Sequence, residues 1–187
     1  MKTRLLGTAL VAALLFGPLV TGCSAFRDDK PVVALDAARS TIDTLLDGAT
    51  KAITPAVGYD DDFYTPKVHS DWAHQSDGKA GLSKRRVLNP RIADGKADTL
   101  LGQLMDHWKA QGYTVTRDDT ARRVGATMPD GARIFVTIEP HGNTHLDATV
   151  DPVKDPGTFT LFNDEQTPRP SSAATPAGRQ DDPYWSH

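Results

Sequence analysis

From Val124 to Val150 the apolar residues of this chain fall on alternate positions in three short runs: Val124, Ala126 and Met128; Ile134, Val136 and Ile138; Leu146, Ala148 and Val150. A period of two places all of them on one face of a set of strands, whereas a helix would scatter them around its axis. The joints between the runs suggest the register. Met128-Pro129-Asp130-Gly131-Ala132 fits a three-residue hairpin loop closed by a left-handed glycine, with Met128 opposite Ala132, Ala126 opposite Ile134 and Val124 opposite Val136. In the next hairpin a loop of His141-Gly142-Asn143 pairs Ile138 with Leu146, Val136 with Ala148 and Ile134 with Val150. A two-residue loop would oppose Leu146 to Glu139 and divide the apolar set between two faces. The pattern predicts strands near residues 113–118, 122–128, 132–139 and 144–151, a C-terminal four-stranded meander. Its second face carries Arg133, Phe135, Thr137, Glu139, His145, Asp147 and Thr149, which suits water except at Phe135.

The rest of the domain reads as cover for the apolar face. Leu35, Ala38, Ile42, Leu45, Leu46, Ala49 and Ile53 recur at helical spacing, with Pro31 as a first-turn residue and Thr54-Pro55 as a stop, so residues 32–53 are predicted to be one amphipathic helix. Residues 58–66, with Asp60-Asp61-Asp62, show no period and read as a solvated loop. Residues 67–76 and 83–92 have extended character on either side of Asp77 to Gly81 and suggest an edge hairpin, since Pro90 offers no ladder donor. A second helix has Asp94 as cap, Ala97, Leu100, Leu101, Leu104, Met105 and Trp108 as its stripe, and Gly112 as its left-handed stop. That stop makes Trp108 and Tyr113 the contact pair of a Schellman motif. The fold class is α+β, with two helices on one face of an antiparallel sheet in the order α-β-β-α-β-β-β-β.

One such domain, residues 32–153, suits a chain of 187 residues. From residue 154 order is expected to fade. Beyond Gln166 the composition is that of a disordered tail, with Tyr184-Trp185 read as part of a flexible end rather than a docked one.

The N-terminus has the layout of a secretion signal: Lys2 and Arg4, an apolar run from Leu5 to Phe16, then Gly17-Pro18. The run is too short and too interrupted for a membrane-spanning helix. Val20-Thr21-Gly22-Cys23 resembles the bacterial lipobox. That resemblance implies removal of residues 1–22 and a diacylglycerol thioether on Cys23, two acyl chains that hold a protein far more firmly than one. Cys23 is also the one cysteine of the sequence, and acylation accounts for a thiol that has no disulfide partner outside the cell. Residues 23–31 then form a short linker, and the seven residues from Ser24 to Lys30 reach at most about 25 Å. The expected location is the outer face of the cytoplasmic membrane.

Candidate chemistry is sparse. Glu139, His141 and His145 share one hairpin, and His69, Asp71 and His74 share one extended segment, but a metal ion needs three or four ligands converging at about 2 Å. Neither group has the spacing for that, and His107 reads as a half-buried structural residue. Asp60 to Asp62 lack the spaced ligands and central glycine of a calcium loop, and no apolar context raises their pKa for acid catalysis. There is no Gly-x-Ser-x-Gly elbow and no Ser-x-x-Lys pair. Trp72 reads as core before contact. No catalytic residue, cofactor site or metal site is assigned. Removing Lys2 and Arg4 with the signal leaves a mildly acidic protein with no basic stretch longer than Lys84-Arg85-Arg86, which argues against nucleic acid as a partner.

Abundant Ala, Asp, Arg and Thr beside little Lys, Asn and Ile is the usage of a GC-rich bacterial genome. With Trp108-Lys109-Ala110-Gln111-Gly112-Tyr113 closing the second helix and Asp130-Gly131 turning the meander, residues 32–152 resemble a set of small actinobacterial lipoproteins of unknown function. Some of those carry a cysteine pair in the domain, which this chain lacks. The resemblance implies an extracytoplasmic α+β domain and no particular activity. The expectation is a non-catalytic binding domain, held to the membrane through Cys23, with an envelope protein as partner. The alternatives are an envelope hydrolase or metal-dependent enzyme, and a small lipid carrier with a gap near Ala126 and Ala148.

Overall fold

The computed structural model describes residues 30–70, 75–159 and 181–187. The expected signal, the lipobox with Cys23, and Asp71, Trp72 and His74 lie outside these residues. The described part of the chain is an α+β fold with helices α1 (Leu35–Ala52) and α2 (Asp94–Ala110) and strands β1 (Tyr59–Ser70), β2 (Ser76–Leu88), β3 (Thr114–Asp118), β4 (Arg123–Thr127), β5 (Arg133–Ile138) and β6 (Thr144–Lys154). The strands form one antiparallel sheet in the order β1-β2-β6-β5-β4-β3, so β6 joins the edge hairpin to the meander. Helix α1 packs over β6 and β2, and α2 over β4 and β3.

The meander follows its apolar period. Val124, Ala126, Ile134, Val136, Ile138, Leu146, Ala148 and Val150 are buried beneath the helices, and Met128 lies at the margin. The Met128–Ala132 turn has the expected form: the Met128 N–H donates to the Ala132 carbonyl at 2.8 Å and the Gly131 N–H to the Met128 carbonyl at 3.0 Å. Gly131 has a φ of 91°, which favours glycine. Val124 faces Val136 and Ala126 faces Ile134. Helix α2 ends in a Schellman motif, with the Tyr113 N–H on the Trp108 carbonyl at 3.0 Å and the Gly112 N–H on the Lys109 carbonyl at 2.9 Å.

The second hairpin corrects the expected register by two residues. Ile138 faces Thr144, Val136 faces Leu146 and Ile134 faces Ala148. The loop is Pro140-His141-Gly142, closed by the Glu139 N–H on the Asn143 carbonyl at 2.7 Å. Proline suits the first position of this turn because its fixed φ fits and no donor is lost, while His141 and Gly142 both take positive φ, 70° and 80°. A shift of two preserves parity, so every side chain stays on its expected face.

Four further expectations are corrected. Helix α1 begins at Leu35 rather than residue 32, because Val33 instead bridges β6: its N–H donates to the Pro152 carbonyl at 3.0 Å and its carbonyl accepts from Lys154 at 2.8 Å. Residues 58–66 are not a loop, because β1 starts at Tyr59 and pairs with β2 along its length; Asp77 to Gly81 accordingly belong to β2 rather than to the turn. Asp94 does not cap α2; Ala93 stands at that position without a side-chain cap bond, and the Asp94 carboxylate takes a hydrogen bond from Arg122 at 2.8 Å.

The fourth concerns the tail. Residues 181–187 are docked, with Trp185 fully buried between the α1–β1 and β2–α2 loops. The Trp185 indole N–H donates to the Pro55 carbonyl at 2.9 Å, and the Ala93 N–H donates to the Trp185 carbonyl at 2.8 Å. Sequence composition did not show this because the receiving groove offers mainly backbone carbonyls and loop residues.

Candidate functional site

The helices cover one face of the sheet and leave the other open, and on that open face the side chains are held in an ordered polar array. The Arg85 guanidinium on β2 donates to the Asp147 carboxylate on β6 at 2.8 and 3.3 Å. Asp147 also meets the His145 Nε2 at 3.2 Å, and the His145 Nδ1 lies 3.6 Å from Glu139. His145 is thus flanked by carboxylates on both ring nitrogens and keeps only 11% of its side-chain exposure. Burial pushes the Asp147 carboxyl up, but the hydrogen bonds from His145 and Arg85 outweigh that and hold it below the usual carboxylate range.

Phe135 stands beside this row, opposite Asp147 on one side and Gly125 on the other. A Cβ at Gly125 would lie 2.6 Å from the Phe135 ring, so the ring rests where that side chain would be. The Arg123 guanidinium lies over the ring at 4.0 Å from its centroid, within cation–π range. The apparent misfit of Phe135 in the sequence is therefore a seated aromatic, with the side-chain-free Gly125 against its ring. Gly125 opposite Phe135 was the signal for it.

A second polar cluster lies between α1 and the edge hairpin, with Arg86 buried at its centre and its carboxylates partly exposed. Arg86, 3% exposed, donates to Asp61 at 2.5 and 3.0 Å, to Asp47 at 2.9 Å and to Thr50 at 3.1 Å. Its guanidinium also stacks on the Tyr59 ring at 3.8 Å. Lys84 bridges Asp43 at 2.9 Å and Asp61 at 3.1 Å, and the Tyr64 hydroxyl donates to Asp43 at 2.5 Å. For Asp61 the upward push of burial is outweighed by Arg86 and Lys84, so its pKa is lowered; Tyr64 is pushed well up by burial and by the Asp43 carboxylate. The sequence signal was a pairing of periods, Asp43 with Asp47 one helical turn apart and Lys84 with Arg86 on one face of a strand. Asp60 to Asp62 are exposed, as expected, but reading residues 58–66 as a loop missed the pairing that brings Asp61 to Arg86.

The remaining candidates disperse. His141 is exposed in its turn, so of the hairpin trio only Glu139 and His145 approach each other. His69 reaches across Gly81 of β2 to Asp151 at 2.9 Å. His107 is half-buried on α2 against Gly48 of α1. Among the described residues no three His, Cys, Asp or Glu side chains converge to hold a metal ion, and no helix is long and apolar enough to cross a membrane. Ala126 and Ala148 are packed into the core.

Comparison with protein-family models, with curated proteins and with solved structures finds no match to this chain.

Proposed function

We propose that this protein is an extracytoplasmic lipoprotein, anchored through acyl chains on Cys23 to the outer face of the cytoplasmic membrane, whose α+β domain is a non-catalytic binding module for an envelope protein. Val20-Thr21-Gly22-Cys23, placed directly after an apolar run and containing the chain's one cysteine, carries the reading. The fold supports it through the position of the tether. Lys30 lies beside Gly131, and Val33 bridges Val153, so the anchored end of the chain enters at the C-terminal end of β6. The seven residues from Ser24 to Lys30 hold that end near the bilayer. The sheet then stands outward, and its open face, with exposed Arg123 and half-exposed Phe135 and Thr137, is accessible to a neighbour in the envelope.

Two measurements test this. In fractionated cells the wild-type protein pellets with membranes and incorporates labelled palmitate, while Cys23→Ala does neither. A photo-cross-linker placed at Thr137 in intact cells captures a reproducible partner, whereas one at exposed Asp106 on α2 does not. A Cys23→Ala protein that stays membrane-bound contradicts the anchoring, and an unlabelled Thr137 position contradicts the binding face.

A further inference from the structure

The end of the sheet where Lys30 and Val33 enter holds its cations differently from the rest of the fold. Lys84, Arg85, Arg86, Arg117 and Arg122 each meet a carboxylate. Among the described residues Lys30, Lys67, Lys79, Arg133 and Lys154 meet none. Lys79 and Lys154 are direct partners in the β2–β6 ladder, and the next pair, Ala80 and Val153, is buried beneath the helices, so both ammonium groups belong to the open face. Like charges in that relation weaken a ladder. Beside them is a cleft of about 240 Å³ lined by Lys30, His69, Asp77, Lys79, Asp151 and Pro152. Its two carboxylates are engaged, Asp151 with the His69 Nε2 at 2.9 Å and Asp77 with the Lys79 N–H at 2.9 Å. Asp130 and Asp155, in turns at this end, accept the N–H groups of Ala132 at 3.0 Å and Gly157 at 2.8 Å. The ammonium groups of Lys30 and Lys79 are the donors of the cleft that have no acceptor.

We propose that this cleft takes the phosphate of an anionic lipid headgroup, with Lys30 and Lys79 as its cationic donors, so that this end of the sheet rests against the bilayer surface. The chemistry follows from the donors. Two ammonium groups bind a phosphate as point charges, and the anion also offsets the opposition of Lys79 and Lys154. A lipid phosphate rather than a free one follows from position. Lys30 is a wall of the cleft, and the chain from Ser24 to Lys30 reaches at most about 25 Å. That step rests on the proposed acylation of Cys23. The domain is then held at two points, one covalent and one ionic, and the opposite end of the open face, with Thr137 and His145 near the start of β6, faces away from the membrane.

A chain that starts at residue 23 and carries Cys23→Ser keeps every described residue but has no acyl group, so this contact and the anchor can fail separately. At low salt it is expected to sediment with phosphatidylcholine vesicles that contain phosphatidylglycerol and to stay in solution with phosphatidylcholine alone. Salt at about 1 M, where the Debye length is about 3 Å, is expected to release it. Lys30→Gln with Lys79→Gln should weaken vesicle binding at least about 10-fold, since each lysine near an anionic surface contributes several-fold. Lys51→Gln with Arg91→Gln makes the same change in net charge at the other end of the fold, beyond the reach of the surface, and should leave binding within about twofold. Binding indifferent to phosphatidylglycerol, or equal loss in the two double variants, overturns the proposal. Inorganic phosphate that shifts the Lys30 and Lys79 side-chain NMR signals, while the vesicles capture nothing, overturns it in favour of a soluble anion. Lys79→Gln alone removes a like-charge opposition and should unfold at or above the wild-type temperature. A lower midpoint would show that Lys79 is already satisfied within the fold, and overturns it as well.

Discussion

Arg86 and Asp61 face each other across the β1–β2 ladder and share two hydrogen bonds, from Nε at 2.5 Å and from Nη2 at 3.0 Å. The pair explains how a run of three aspartates becomes part of an edge strand. Arg86 is buried while Asp61 remains partly open, so the carboxylate meets its counter-charge without leaving water altogether.

Removing the cation should therefore cost far more than a surface ion pair does. Arg86→Met keeps the bulk of the side chain but strands Asp61 and Asp47 beside a low-dielectric seam. The expected loss is about 3 kcal/mol, the lower end for a broken buried pair because both carboxylates retain some water. Urea unfolding of the variant measures it. A loss under about 1 kcal/mol would show that α1 and the hairpin are held by apolar packing alone.

Acid should loosen the fold through Asp61 and Asp147. Both have folded-state pKa values below the unfolded value of about 3.9. Their contribution is thus complete above that value and is lost as pH falls through the lower folded value. The urea midpoint is expected to show no loss from these two groups between pH 5 and 7 and to drop below about pH 4. Arg85→Gln removes one of the hydrogen bonds that hold Asp147 down, so the variant should be less stable at neutral pH and lose less on acidification, its limb converging on that of the wild type as pH falls. Superimposable limbs would mean that Arg85 has no hold on Asp147.

Gly125 and Phe135 should behave as one unit. Gly125→Ala drives a methyl into the Phe135 ring and lifts it from beneath Arg123, at an expected cost of about 1 kcal/mol. In a Phe135→Ala background the same change meets the Thr116 hydroxyl at 3.3 Å, a side chain that can give by a few tenths of an ångström, and should become nearly neutral, since alanine is favoured over glycine in a strand. Thermal unfolding of the four proteins gives the coupling, expected near 1 kcal/mol or more. Additive effects would remove the ring from its place over Gly125.

Gly142 is fixed by backbone rather than side chain. Its φ is 80°, and a Cβ there would lie 2.5 Å from the Ile92 carbonyl oxygen, an atom that cannot swing aside. Gly142→Ala is expected to cost more than about 2 kcal/mol, since positive φ and a backbone collision add. The neighbouring His141→Gly relieves a left-handed residue in open solvent and should not destabilise. Equal effects at the two positions, read by chemical denaturation, would contradict the turn geometry.

What was legible in the sequence was whatever local pattern decides. The apolar alternation from Val124 to Val150 located the buried face, and Gly112 and Gly131 located a helix stop and a turn, because each constraint acts within a few residues. Parity carried the faces of β6 even where the register was two residues off, since the choice between Pro140 and His141 as first loop residue does not change which side Leu146 takes. Strand β1 was illegible because Asp61 finds its counter-charges on β2, beyond the turn. Trp185 was illegible for a similar reason: its partner is the carbonyl of Pro55, and any residue can supply a carbonyl. On the open face, the row of Glu139 and His145 could be named, but the part of Arg85 in it depended on β2 pairing with β6.

The proposed anchoring of this domain is tested most directly by the intact mass of the protein extracted from membranes with detergent. The expected species begins at Cys23 and carries the added mass of a diacylglycerol on its sulfur, with residues 1–22 gone. A chain that begins at any other residue, or one that begins at Cys23 with a bare thiol, would contradict it.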